Sequence, residues 1–578
     1  MDASESKRLI ITVALSVLVI LCWQFFYSAP KQREYKKQLI EYNQSIAHQK
    51  KQQIALAKQR AAAKDSTSPA PRISISTPSL AGSINLKGAR IDDLILIKYN
   101  QYNDPSSPKV RLLSHDKHDP DTLIQPIYFA EFGWLSTQSN LAIPNQNTIW
   151  TTISENQTLT QTSPVTLQWI SPQDIVFELE IAVDEDYMFS ITKRVQNLND
   201  TAINIVPYGL INRNFAAEGK NASFVHEGLV NVHNGILQEL SFEDIMEEKK
   251  TNYQHDQYGW LGFSDKYWFT GIIPYVKSSD SSNNDKRFKS TFSYYNNVQS
   301  PRYQVDYAGQ TIQVAPGDSV TDTTLFYAGS KKLTILDQYA EQYNIPLFDR
   351  AVDFGTLYFI SKPIFLILKT LNGLVGNFGV AILLLTVLIK IALFPLARKS
   401  YVSMHQLKKF HPQIVELKER YADNKLQLNK EVMALYKREK INPASGCLPI
   451  LLQIPIFFAL YRVLYITIEM RHAPFFGWIQ DLSAPDPTSI FNLFGLLPYD
   501  VPPILQLGVW PIILGITMFL QQRVSPPPTD PTQAKIFKMF PFIFTLVLYR
   551  FAAGLVIYYA WNNTLTVLQQ IFITRKLK

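Results

Sequence analysis

Apolar and polar residues follow two different rhythms along this chain. Between about Ile75 and residue 345 the rhythm has a period of two. Val165, Leu167 and Trp169 alternate with polar neighbours, as do Ile175, Phe177, Leu179, Ile181 and Val183, then Tyr187, Phe189 and Ile191. Such alternation turns one face of each strand toward a core. Clusters such as NDPSSP, NLND and SSNND supply the turns between runs. Many short strands punctuated in this way predict an all-β sandwich domain over 76–345. From residue 354 onward the apolar positions run together. Residues 354–372 (FGTLYFISKPIFLILKTLN) carry Lys362, Pro363 and Lys369, which predicts an amphipathic helix lying at a membrane surface. Five runs then read as membrane spans, at about 378–396, 447–468, 504–520, 540–551 with its neighbours, and 554–573. A tight turn near Ala552–Gly554 joins the last two. A sixth run, LIITVALSVLVILCWQFF from Leu9 to Phe26, predicts an N-terminal signal-anchor helix over 1–27, followed by a linker over 28–75. A cleaved signal peptide is the alternative, but the run is long for one and no A-x-A site follows it. The fold class expected is therefore an α-helical polytopic membrane protein with six transmembrane helices, carrying a large extracytoplasmic all-β sandwich.

Composition changes this picture little, because averages hide the two halves. Mean hydropathy is −0.05 over 578 residues, the value of a soluble protein. The two cysteines, Cys22 and Cys447, both fall in apolar runs, so no disulfide framework is available to the β domain. Charge matters more through its placement than through its net value of +8. The segment 397–446 holds eleven Lys/Arg against five Asp/Glu, and 521–538 holds Arg523, Lys535 and Lys538 against Asp530. The loop 469–503 instead holds one Arg and four acids. Basic loops stay in the cytoplasm, which puts both termini inside and the β domain outside. Lys31, Arg33, Lys36 and Lys37 oppose this locally, but long translocated domains tolerate such charges. Within 397–446, Leu407, Phe410, Ile414, Leu417 and Tyr421 recur at helical spacing; YADN breaks the pattern, and Val432, Leu435 and Tyr436 mark a second arm. This predicts an antiparallel helical hairpin with a basic surface. It is either a solvated connector or a docking surface for an RNA-rich or acidic partner such as a ribosome.

Candidate chemistry is sparse. The spans after the β domain contain no Asp or Glu, which argues against proton-coupled transport, and no internal repeat suggests an ion-coupled symporter. The spans hold no nucleophile–base–acid set. His115, His118, His226, His233 and His255 do not stand in metal-ligand spacing with a second ligand type, and no P-loop is present. Neither a catalytic set, a cofactor nor a metal is expected, and the chain does not read as an enzyme. What remains is Lys390, inside GVAILLLTVLIKIALFPL, with Thr386 one turn before it on the same helix face. Gln453 lies in a later span, and Tyr558, Asn562, Thr566 and Gln569–Gln570 form a polar stripe along the last one. Lys390 lies roughly 9 Å inside the helix end at Leu396. Exposure to lipid there would cost about 2.5–3.5 kcal/mol. Its ammonium group therefore either snorkels to the interface or faces a hydrated cavity.

The stretch NPASGCLPILLQIPIFFALYRVLY (442–465) resembles the YidC/Oxa/Alb family of membrane protein insertases. RHAPFFGWIQDLSAPDP (471–487), GLVIYYAWNNTLTVLQQ (554–570) and VGNFGVAILLLTVLIKIALFPL (375–396) are similar as well. The added anchor and outer domain resemble the family's Gram-negative form. The resemblance implies an insertase core over 376–578, with five helices around a hydrophilic groove open to cytoplasm and lipid. It implies that Lys390 stands where the family's groove arginine stands, a departure that keeps the charge and loses the bidentate fork. It implies further that Thr386 and Gln453 line the groove and that Tyr559 contacts the substrate. A bacterial inner-membrane location is implied too, with the β domain periplasmic. The implied partners are newly made membrane proteins as substrates, the Sec translocon, membrane lipids, and ribosome or signal recognition machinery at the basic hairpin. The expected function is membrane protein insertion and chaperoning. The alternatives are a small-molecule or lipid transporter with a periplasmic binding domain, and an anchored carbohydrate-binding module.

Overall fold

The computed structural model describes residues 70–115, 127–216, 225–256, 258–275, 287–296, 301–421, 424–439, 448–497, 501–502, 506–524 and 531–575. The expected N-terminal anchor, most of the linker, His118 and both cysteines lie outside them. Residues 403–444 fall in a compact unit apart from 70–402 and 445–578.

Period-two alternation becomes a sandwich of two sheets, of eleven and nine strands among the described residues. Strand Ile175–Val183 shows the rule: Ile175, Phe177, Leu179, Ile181 and Val183 are buried, and the residues between them are not. It pairs antiparallel with Met188–Asn197, matching Val183 to Phe189 and Ile175 to Asn197. That register turns both apolar sets to the same face. The first strand, Arg72–Ser76, opens inside the expected linker, paired to Leu80–Asn85. Two cations buried in this domain, Lys193 and Arg213, have carboxylate partners, as burial of charge requires. Lys193 Nζ lies 2.6 Å from Asp322 and donates to Tyr307 at 2.7 Å. Arg213 grips both oxygens of Asp265, at 3.0 and 3.2 Å. A short helix, α1 (Phe242–Glu248), is closed by a capping box between Ser241 and Asp244. After the last strand comes α2 (Leu333–Gln342), its Leu333, Leu336 and Tyr339 packed in the core.

The helical half begins with α3 (Tyr358–Val375), α4 (Phe378–Ala392) and α5 (Phe394–Arg420). Its later helices are α7 (Leu448–Ile466), α8 (Val509–Val524), α9 (Pro531–Leu548) and α10 (Ala553–Arg575), and α6 (Lys425–Arg438) is the second arm of the hairpin. The hairpin breaks where YADN predicted, and Asn424 caps α6 by accepting from the Gln427 amide at 3.1 Å. The last two helices meet at a break just before Ala553, as expected.

Two features differ from the sequence reading. With its leading turn, α3 covers Gly355–Val375, 21 residues long and apolar enough to cross a membrane. Lys362, a reason for placing this helix at the surface, is held by Asp337 and Asp349, each at 2.8 Å. Its charge is thus answered within the protein. Second, several spans expected in the helical half are short or bent among the described residues. Helix α4 ends at Ala392, and the chain turns by 65° into Phe394–Gln406. The break falls at Leu393, two residues before Pro395, whose missing amide hydrogen could not continue α4. Residues Leu451–Ile466 and Phe537–Leu548 are apolar but short.

Candidate functional site

The site assembles where α4 lies against α10. Asn377 caps α4, its side chain accepting from the Val380 amide at 3.1 Å and donating to the Phe475 carbonyl at 3.1 Å. Gly379 lets the Phe475 ring sit against the helix; a Cβ there would stand 2.0 Å from the ring. The N-terminal end of α4 is thereby fixed. The start of α10 is fixed by the same loop, since the Ala553 and Gly554 amides donate to Ala484 and Leu482 at 2.7 and 3.0 Å.

Three side chains then zip the two helices together. Trp561 Nε1 donates to the Leu383 carbonyl at 3.2 Å, and Gln569 Nε2 donates to the Lys390 carbonyl at 3.4 Å. Lys390 Nζ donates to Thr566 Oγ1 at 2.8 Å. The Thr566 hydroxyl passes its own hydrogen to the Asn562 carbonyl at 2.7 Å, so its oxygen is free to accept from the ammonium. This partner is neutral. Elsewhere in the helical half, Lys362 and Arg462 are paired with carboxylates, whereas Lys390 has none among the described residues. A cation held by one hydroxyl has its position fixed and its charge uncompensated.

The remaining predicted residues fall into two further contacts. Gln453 Nε2, on α7, donates to the Tyr558 hydroxyl at 2.5 Å, so the two polar groups bridge α7 and α10. Tyr559 instead lays its ring on Phe457 at 5.0 Å between centroids. Thr386 is buried, and its hydroxyl is spent on its own helix, donating to Ile382 at 2.7 Å. The stripe on α10 also includes Asn563 Nδ2 and Gln570 Oε1, buried amide atoms without hydrogen-bond partners among the described residues.

One group escaped the sequence reading. Arg462 lies in the apolar run FFALYRVLY of α7, and its Nη1 contacts Asp353 Oδ2 at 2.8 Å and the Asp353 carbonyl at 3.1 Å. The same carboxylate oxygen accepts from the His226 amide at 2.8 Å. Arg462 was visible in the sequence as a charge within a span; its acid partner lies some hundred residues away, in the segment joining the two halves. Among the described residues no group of His, Cys, Asp and Glu is placed to hold a metal ion.

Residues 72–367 match the family described as the YidC periplasmic domain, and residues 370–578 match the 60Kd inner membrane protein family. The chain is 44% identical to membrane protein insertase YidC of Rickettsia bellii (strain OSU 85-389) over 568 residues, covering 98% of each chain. It is 44% identical to the insertase of the same name in Rickettsia massiliae (strain Mtu5) over 570 residues, covering 98% of this chain and 99% of that one. Among solved structures, an active YidC insertase crystal structure with the first transmembrane domain resolved is similar over 87% of this chain and 92% of that chain, at 17% identity and a TM-score of 0.33. The β-sandwich is thus the family's periplasmic domain and the helical half its inner-membrane part, and by identity over nearly its whole length the chain belongs to the YidC family of membrane protein insertases.

Proposed function

We propose that this protein inserts membrane proteins and helps them fold, through a hydrophilic groove whose charged group is Lys390. The observation that carries the reading is the Lys390–Thr566 contact, an ammonium inside an apolar helix with a hydroxyl for company and no described acid. A short acidic outer segment of a substrate cannot enter lipid alone. Lys390 offers it an opposite charge part-way across, where attraction is stronger than in water. Thr566, Asn562, Gln453 and Tyr558 would replace part of the segment's hydration. The substrate's apolar helix then moves sideways into lipid, and removal of its surface from water supplies the driving force. In this reading six spans keep both termini in the cytoplasm, Tyr559 and Thr386 lie along the substrate's path, and the basic hairpin meets a ribosome, signal recognition machinery or the Sec translocon.

The test is insertion into liposomes by the purified protein. Substrates with one or two spans and acidic outer segments should insert above the level of empty liposomes. Lys390→Arg should retain this activity, and Lys390→Glu should lose it for acidic segments. Lys390→Ala behaving as wild type across a broad substrate panel would remove Lys390 from the mechanism. Solute uptake without protein insertion would favour a transporter instead.

A further inference from the structure

A cleft of about 1130 Å³ opens beside the outer end of α7, between the β domain and residues Tyr465 and Arg471. It exceeds the roughly 300–1,000 Å³ of small-molecule pockets. Three properties define it. One wall is a sheet edge: strand Lys109–Leu113 pairs with Arg90–Asn100 and with no other strand among the described residues, and Lys109 to Leu112 all line the cleft. The floor is apolar, with Ile95 and Ile97 beside that edge. The rim is cationic. Arg213 and Arg111 are answered by Asp265 and Asp93, whereas Lys266 and Arg471 form no salt bridge among the described residues, although Asp481 acts on both from a distance. They are fixed by rings instead: Lys266 Nζ lies 3.5 Å from the Tyr465 centroid, and the Arg471 guanidinium lies 5.5 Å from that of Trp268. Arg471 also donates to the Gln101 carbonyl at 2.8 Å. Glu227 is the opposing acid in the lining, and its carboxylate accepts from the Lys266 amide.

We propose that this cleft holds an extended acidic polypeptide segment, added as a strand to the edge Lys109–Leu113, with its carboxylates against Lys266 and Arg471. The edge selects a polypeptide, because an unpaired strand offers main-chain donors and acceptors that an extended chain satisfies along its length. The apolar floor takes alternate side chains of that strand, and the cations select the sign of its charge. Burial pulls Lys266 down to about 8, against the opposing pull of Glu227 and Asp481. The source of the segment follows from the proposed insertase reading, on which this part rests. Helix α7 carries Gln453 at the groove and Tyr465 at the cleft, twelve residues and roughly 18 Å apart along one axis. An acidic outer segment that has passed Lys390 would emerge beside the cleft.

Binding is measured with the full-length protein in nanodiscs of zwitterionic lipid. The probe is a ten-residue fluorescent peptide of alternating Glu and Val. It should bind, and its Lys–Val counterpart should not compete. Lys266→Gln or Arg471→Gln should each weaken binding about tenfold. The double variant Lys266→Glu/Arg471→Glu should exchange the preference and bind the Lys–Val peptide, a gain that a misfolded protein cannot show. N-methylation of alternate amides in the acidic peptide should abolish binding if a strand is added. Equal binding of both peptides, or indifference to N-methylation, overturns the proposal. So does loss of peptide binding to anionic phospholipid vesicles with photo-crosslinks from Val110 to lipid, which would make the cleft a lipid site. Peptide binding does not depend on insertion. Insertion with no peptide binding rejects this inference alone, and peptide binding with no insertion rejects the insertase reading alone.

Discussion

At the scale of single residues, the site turns on what Lys390 lacks. Its hydrogen bond to Thr566 fixes the ammonium 2.8 Å from a neutral oxygen. A carboxylate at that position would neutralise it from within. Thr566→Asp is therefore expected to abolish insertion of substrates with acidic outer segments while substrates with neutral segments still insert. Thr566→Val, which removes the hydroxyl and keeps the shape, should retain activity on both classes. The liposome insertion assay checks this, and full activity of Thr566→Asp on acidic segments would show that the free charge is not used. The lysine was legible in the sequence because a charge inside an apolar run is conspicuous. The stripe Tyr558, Asn562, Thr566 was legible because its spacing is helical. Their joining was not. Lys390–Thr566 and Gln453–Tyr558 close over separations of 176 and 105 residues, and a periodicity says which face a residue takes without saying what meets it.

At the scale of elements, the charged ties at helix ends set where the two halves join. Asp353 accepts from His226 of the β domain and from Arg462 of α7. Removing the acid leaves a guanidinium in an apolar helix, at a cost of about 3 kcal/mol. Removing both members with apolar residues costs less, because no orphaned charge remains. Asp353→Leu should therefore lower the unfolding midpoint of the purified protein more than Asp353→Leu/Arg462→Leu does. A thermal melt of both variants decides it, and a double variant less stable than the single one would mean that the pair contributes attraction rather than a relieved burial cost. The lengths of the helices carry a second consequence. Helix α4 has 15 residues and α8 has 16, or roughly 22–24 Å at 1.5 Å per residue. A hydrocarbon core is about 30 Å thick. If they span as proposed, such helices would match a locally thinned bilayer, which would shorten the path a polar segment must travel. The sequence runs look longer because residues beyond Ala392 are still apolar; only Pro395 reveals the bend.

At the scale of the whole molecule, the β domain is the part whose stability depends on pH through identifiable groups. Its strands were the most legible part of the chain: each alternating set in 165–191 turned inward as a set, apart from half-buried Trp169, since a buried face admits one register. The same burial captured a group that alternation does not interpret. His255 is fully buried, its ring stacked on Phe288 at 3.9 Å and its Nε2 2.7 Å from Ser290 Oγ. Burial, and then the nearby His233, push it down to about 3 from the usual 6.5. The folded protein thus keeps this imidazole neutral across a range in which the unfolded chain takes up a proton. Between pH 6.5 and about 3 the unfolded state binds more protons, so stability contributed by His255 falls as pH falls through that window. Half-buried Asp184 and Asp306 are pushed up by desolvation and act in the opposite direction, so the total profile mixes signs. Comparison with His255→Gln isolates the one group, because glutamine can still reach Ser290 and does not titrate. The unfolding midpoint of the wild-type protein should drop further between pH 6.5 and pH 4 than that of His255→Gln. Parallel profiles for the two proteins would mean that His255 takes up its proton in the folded state, and that the strands around it open before the rest of the sandwich does.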